Sequence, residues 1–433
     1  MNAARTLHFL IGLWTGLAIC HFAVAGDFAK YSGKHITLTT DIESDEEASR
    51  LVESFDAVVP QWEEFFDLPN SGQTNWQIEA FVMRDKSAFI EAGLISGRIP
   101  EFSQGYALGN TVWVVAQPSE YYTRHLLLHE GVHALAIDRF DGTGPSWFAE
   151  GTAEVLSTHR FVGSDARVGG VPVDRESVPY WGRLKVMSER RTEGDIPAIE
   201  TVMRYPADLK ADPEAYGWSW AAVMLLSEYP EYRSVYQAAA REGRDNSSQF
   251  TRQLYQRLFP QWPAVVARWR LMCNQLDYGY NWDANRVAID VSDPLWNGAK
   301  RSFPVDASQG WQSSGVRIPA STTFQVSASG RCTIANHSNA QRSNTTRSTN
   351  EWISEPPGVT IRYVNGKPLG QLLACLVPTK RSGGATYAPL KIVPINSETQ
   401  LKCTTESWLV FQINDATSDR SDNSGSYQVQ LAR

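Results

Sequence analysis

Three things are scarce in this sequence of 433 residues: cysteine, with 5 in all, runs of Lys and Arg, and apolar stretches long enough for a bilayer. Without a Lys/Arg run there is no footprint for phosphates, and a formal net charge of -7 points the same way, so nucleic acid is excluded as a general partner. The longest apolar stretch, Phe9 to Ile19, is shorter than the roughly 20 residues that a membrane helix needs. No solenoid-type repeat is visible. What remains is the composition of an ordinary globular protein, 42% hydrophobic and 20% charged. Single cores stop growing at about 250 to 300 residues, so two domains are expected.

The apolar stretch follows Arg5 and precedes Ala23-Val24-Ala25, a small-x-small pattern before Gly26. Residues 1-25 therefore read as a secretory signal peptide, with an uncleaved N-terminal anchor as the alternative. A lipid anchor on Cys20 is disfavoured, because Ile19 stands where a small residue is needed. Export gives a secreted or periplasmic protein with no integral span after cleavage. In an oxidising compartment Cys273, Cys332, Cys375 and Cys403 are expected to form two disulfides, in one of three connectivities.

Residues 35-40 and 76-83 have the pattern of strands, and the acidic stretch from Ser44 between them carries apolar residues at helical spacing. Thr111 to Ala116 reads as a third strand. From Glu120 to Trp269 most segments read as helix, with breaks at 142-145, 194-195 and 205-206. The first half, 26-285, is thus α+β, a small sheet with a mainly helical lobe. From about residue 286 to 433 Ser, Thr, Asn and Gly rise, and short β-branched runs at 314-319, 324-328, 359-364 and 408-413 suggest an all-β sandwich. Asn336 to Asn350, without apolar period, reads as an exposed loop.

The strongest chemical signal is His129-Glu130-Gly131-Val132-His133, inside the helical segment Tyr122 to Phe140. Two His residues four apart share a helix face and can reach one ion at about 2.0 to 2.1 Å. Glu130, turned by about 100°, borders that face where a base for a metal-activated water belongs. After the Gly144-Pro145 turn, Trp147 to Glu154 opens a second helical segment. A helix pair joined there can bring Glu150 in as third ligand, with Glu154 one turn on, placed to accept the free ring N–H of a ligand His. His125 extends the stripe, as a further ligand or as a packing residue; His159 reads as surface.

These paired motifs resemble the gluzincin zinc metallopeptidases, and most of all the peptidase MA-like branch of bacterial secreted proteins. The resemblance covers roughly residues 30-280 and implies a zincin-like fold, Zn2+ on His129, His133 and Glu150, Glu130 as general base, and a peptide or protein substrate. The 16 residues between His133 and Glu150 require a compact loop. Relatives often carry a downstream Tyr or His as oxyanion donor, which here suggests Tyr216, with aromatic packing as the alternative. Thr111 to Ala116 serves either as an edge on which an extended substrate adds or as an ordinary core strand.

Near the C-terminus, the Asn/Asp-dense stretch between Phe411 and Val429 offers hard oxygens suited to Ca2+. It resembles the calcium loop of the PA-I type galactophilic lectins, a galactose-binding-like sandwich, and the likeness reaches back to Gly310 to Val316. That implies Asp415, Asp422 and Asn423 as side-chain ligands and Asp419 through its carbonyl. Ser354 to Gly358 stand where those lectins contact sugar through His and Gln, so galactose does not carry over. Glycan or a cell-surface ligand remains an expected partner, with Trp352 either stacking on sugar or packing in the core. The expectation is an exported zinc metallopeptidase with a calcium-binding β-sandwich for targeting; the competing reading is a non-catalytic surface-binding protein.

Overall fold

The computed structural model describes residues 28–68, 76–163, 165–209, 212–334, 352–380 and 383–433. The signal segment, Cys20 and the 336–350 loop lie outside the described residues. The architecture is mixed α and β, with several sheets and a helical portion.

The first sheet contains β1 (Ala29–Ser32), β2 (Ile36–Thr40), β3 (Ile78–Met83), β4 (Gly105–Leu108) and β5 (Thr111–Val115), in the order β1-β2-β3-β5-β4. The strands β2, β3 and β5 run parallel, while β1 and β4 are antiparallel edges. Alternation sets its two faces. Ala80, Val82, Val112 and Val114 meet the helices, whereas Phe81, Met83 and Trp113 pack with Phe89 of α2 (Lys86–Glu91). Ser44 caps α1 (Asp45–Phe65), and Asp45, Glu46 and Glu47 fill its first turn, where the helix dipole favours acids.

The helical portion continues with α3 (Glu120–Phe140) and α4 (Ser146–Ser157), then α5 (Arg183–Glu193), α6 (Ile199–Val202), α7 (Pro213–Glu228), α8 (Pro230–Ala240), α9 (Ser248–Leu258), α10 (Trp262–Gln275) and α11 (Trp282–Asn285). Between α4 and α5 the helical reading fails: β6 (His159–Val162) and β7 (Asp165–Val168) form a hairpin. The helix α7 is buried almost all round, from Trp218 to Ser227, and forms the centre of the lobe. At Gly151 a side chain would meet the Ser219 carbonyl at 2.4 Å, so glycine is what lets α4 lie against α7.

Residues 301–432 build two facing sheets. One has the order β12 (Trp352–Ser354), β11 (Cys332–Ile334), β19 (Ser424–Ala432), β10 (Thr322–Ser329), β17 (Glu398–Cys403), with β8 (Arg301–Asp306) also on β19. The other is β16 (Ile392–Ile395), β15 (Leu372–Pro378), β18 (Ser407–Ile413), β9 (Gln312–Ile318); β13 (Val359–Val364) and β14 (Lys367–Leu369) form a separate hairpin. Phe324, Val326, Val429 and Leu431 from one sheet share a core with Ile318, Leu372, Leu409 and Phe411 from the other. The runs at β15 and β18 are apolar without alternation because both their faces are buried. Their outer residues Leu373, Cys375, Val377, Trp408 and Val410 pack on Ala267 and Leu271 of α10.

The expected disulfides are absent, with Cys273, Cys332, Cys375 and Cys403 all free and buried. Cys403 pairs in register with Thr322 at the start of β10, while Cys332 lies beyond its far end at Ser329. Ten residues of strand separate them, roughly 30 Å. Cys273 faces the helical core and Cys375 the layer against α10. Burial pushes the Cys375 thiol up to about 12, the behaviour of an inert core residue.

Candidate metal centre

Helix α3 follows β5 after a four-residue connection and is started by Ser119, whose hydroxyl accepts from the Tyr122 amide. It ends at Asp141 in the left-handed region, and the chain turns through Gly142 and Gly144 into α4. The close approach of Gly142 to Gly243, with the Gly144 N–H donating to the Gly243 carbonyl at 2.7 Å, keeps this turn compact. The short separation of His133 from Glu150 is met in this way.

The turn brings His129, His133 and Glu150 together. His129 Nε2 lies 3.0 Å from Glu150 Oε2 and 3.2 Å from His133 Nε2, and His133 Nε2 is 3.5 Å from the same carboxylate oxygen. Ligand atoms at about 2.0 to 2.1 Å from a tetrahedral zinc stand about 3.3 Å from each other, so the three atoms have the spacing that such an ion requires. Burial raises the Glu150 carboxyl, but His133 and His129 outweigh it and hold the group well below the usual range.

Glu154 stands behind the triad. Arg183 donates from Nη2 to Glu154 Oε1 at 2.9 Å and from Nε to Oε2 at 3.3 Å, and Trp181 Nε1 donates to Oε2 at 3.0 Å. Burial raises its pKa, yet Arg183 and His125 bring it well below normal. His129 Nδ1 lies 3.6 Å from Glu154 Oε1, just beyond hydrogen-bond distance. His125, His129 and Glu154 form a second group of close donors, the only other one among the described residues. In this second group Glu154 is already neutralised by Arg183. His125 is fully buried, its pKa lowered by burial, and stacks on Tyr122.

Glu130 is buried, and burial raises its carboxyl to about 7, with His133 lowering it and Glu150 raising it. The backbone of β4 passes directly over it: a Cβ at Gly105 would stand 2.4 Å from Glu130 Oε1. The exposed sheet edge beside the site is therefore β4. Thr111 to Ala116 is not that edge, because β5 lies between β3 and β4. Tyr216, on α7, reaches the site with its ring 6.2 Å from that of His129 and with the Arg183 guanidinium 5.4 Å from its ring centre. Burial and the nearby Glu150, Glu154 and Glu130 raise its pKa, so it keeps its proton.

His159 is buried, contrary to the surface reading. Its ring stacks on Tyr121 at 4.4 Å, Nδ1 donates to the Ser157 carbonyl at 2.9 Å, and Nε2 is 3.2 Å from Arg124 Nη1. Arg183, Trp181 and Gly105 escaped the sequence reading. The glycine gave no signal, and the pair Trp181/Arg183 stands only two residues apart in an otherwise irregular stretch.

In the C-terminal loop Asp415 is buried and its Oδ2 accepts from Asn423 Nδ2 at 2.9 Å. Asp419 instead pairs with Arg362 at 3.7 Å and accepts from the Ser418 hydroxyl. Asp415, Asp419 and Asp422 are not gathered into a cluster of close donors. The loop is held from inside by Arg420, which donates to the Asp415 carbonyl at 3.1 Å and to Asn285 Oδ1 at 2.6 Å. Trp352 is half-buried against the sandwich core, 5.7 Å from the Arg362 guanidinium.

No protein-family model and no curated protein sequence matches this chain. Among solved structures it is similar to one described as the N-terminal domain of EclA, a PllA-like lectin, over 31% of this chain and 95% of that chain. The identity is 19% and the TM-score 0.21. No described helix is long and apolar enough to cross a membrane.

Proposed function

We propose that the chain is a zinc-dependent peptidase of gluzincin type. The observation that carries this reading is the mutual spacing of His129 Nε2, His133 Nε2 and Glu150 Oε2, 3.0 to 3.5 Å, beside a buried Glu130. His129, His133 and Glu150 would hold the zinc, which when bound would lower the pKa of a water to about 7 and polarise a carbonyl. Glu130 takes a proton from the attacking water and passes it to the leaving amine. Tyr216, a phenol at the site, donates to the developing oxyanion. An extended peptide adds to the free edge of β4, which brings its backbone over Glu130.

A non-catalytic reading leaves Glu130 unexplained. Burial raises its carboxyl, a cost that a purely structural residue would not need to bear. The test is elemental analysis and peptide-library digestion of the wild type and Glu130→Gln. Both proteins should hold one zinc, and the variant should lose turnover by about 10²-fold or more. Zinc-free wild type, or a fully active variant, overturns the proposal. Export of the chain, and targeting by the β-sandwich to glycan or a surface protein, belong to the same proposal. Calcium on Asp415, Asp419, Asp422 and Asn423 is proposed with its own test, a calcium-dependent rise in melting temperature that Asp415→Ala abolishes.

A further inference from the structure

A cavity of about 540 Å³ opens beside the start of α4, lined among others by Ser146, Arg204, Tyr205, Arg252 and Tyr255. Ser146 and Glu150 are four residues apart on α4, so their side chains share a face about 6 Å apart along the axis. Ser146, on the cavity wall, is therefore one helical turn from the ligand Glu150. The Ser146 hydroxyl donates to the Pro206 carbonyl at 2.5 Å and anchors the loop that carries Arg204 and Tyr205 to that turn.

The charge of this cavity is unbalanced. Arg204 and Arg252 are exposed at its wall, and neither forms an ion pair among the described residues. Its one carboxylate, Glu200, is buried and already engaged: Oε1 accepts from Trp262 Nε1 at 2.9 Å and Oε2 from the Tyr387 hydroxyl at 2.7 Å. Two guanidinium groups thus face a space large enough for a peptide side chain or chain end. Guanidinium groups bind carboxylates through paired, charge-assisted hydrogen bonds.

We propose that this cavity is the specificity site of the peptidase centre and that Arg204 and Arg252 hold a substrate carboxylate there, from an acidic side chain or from the peptide C-terminus. The inference rests on the peptidase reading, but its test is made to stand apart from it. Binding is measured by fluorescence anisotropy on the zinc-loaded Glu130→Gln protein, which removes turnover. Three labelled peptides of one sequence are used: an internal Glu with amidated C-terminus, the Gln counterpart with amidated C-terminus, and the Gln counterpart with a free C-terminus.

At low salt one or both carboxylate peptides should bind about tenfold more tightly than the neutral one, and which of them does so identifies the source. Adding Arg204→Gln and Arg252→Gln together should erase the difference while melting temperature and zinc content stay unchanged. Arg252→Glu, which leaves Arg204 facing a carboxylate of the protein itself, should also erase the preference. Equal binding of all three peptides, no binding of any, or a preference that survives the double substitution overturns the proposal. If the carboxylate preference holds but the wild type cleaves no library peptide, the peptidase reading fails and the carboxylate site remains.

Discussion

Arg183 holds Glu154 through both carboxylate oxygens, at 2.9 and 3.3 Å, in a place where the Glu154 side chain is 1% exposed. Breaking such a pair by removing one partner leaves a buried charge uncompensated, at a cost of about 3 to 5 kcal/mol. Arg183→Gln is expected to lose stability of that order in urea denaturation. Zinc affinity, measured by competition with a chelator, should fall about 10- to 100-fold, since the Glu154 carboxylate 3.6 Å behind the His129 ring would lose its fixed position. Arg183→Lys, which keeps the charge, should recover part of both.

Gly105 admits the β4 backbone to the site by having no side chain. Gly105→Ala would set a methyl 2.4 Å from Glu130 Oε1, and Glu130 must turn away. The variant is expected to keep its zinc and its fold while turnover of a cleaved peptide falls by at least about tenfold, because the base leaves hydrogen-bonding reach. Elemental analysis beside initial rates separates this from loss of metal.

Burial, with Arg124 and His125 nearby, lowers the His159 imidazole to about 3 against an opposing hydrogen bond to the Ser157 carbonyl. Between that value and the unfolded value of about 6.5, the unfolded chain binds a proton that the native chain refuses. Stability contributed by His159 is therefore complete above about pH 6.5 and declines as pH falls towards about 3. Comparing denaturation at pH 7.5 and 4.5 with chelator present, His159→Gln should lose about 2 kcal/mol less than the wild type.

Because the four described cysteines are free, reductant should leave the melting temperature unchanged. In a protein that starts at Gly26, their burial makes a thiol reagent silent on the native state and reactive with four groups after unfolding. A drop in melting temperature with reductant would restore the disulfide reading.

The metal triad was legible because its members are local. Two His residues share a helix face through the 3.6-residue period, and a five-residue turn delivers Glu150 to them. Arg183 comes from a later helix that only tertiary packing brings back, and no period in the sequence points at it; Tyr216, also on a later helix, was suggested by the family resemblance alone. Strand identity was legible for β5, but sheet order was not. The chain enters at β4 and returns through β5 into the interior, so the later strand is covered and the earlier one is exposed. His159 follows the last turn of α4 like a solvated helix end, yet Tyr121 and Arg124 of α3 close over it. Even cysteine parity in an exported chain favours bridges only where the sulfurs can meet. Here strand register keeps two of them at opposite ends of β10.

Tyr387 belongs to the connection between β15 and β16, yet its ring lies in the helical core and its hydroxyl holds Glu200 on the cavity wall. The Ala385 carbonyl accepts from the Ala198 amide at 2.8 Å on the same side. A helical half expressed alone would uncover Ala267 and Leu271, empty the Tyr387 socket and release Glu200 towards the two arginines. Such a fragment would be a sticky protein with a partly neutralised pocket, so binding assays on it would misjudge the chain from which it was cut.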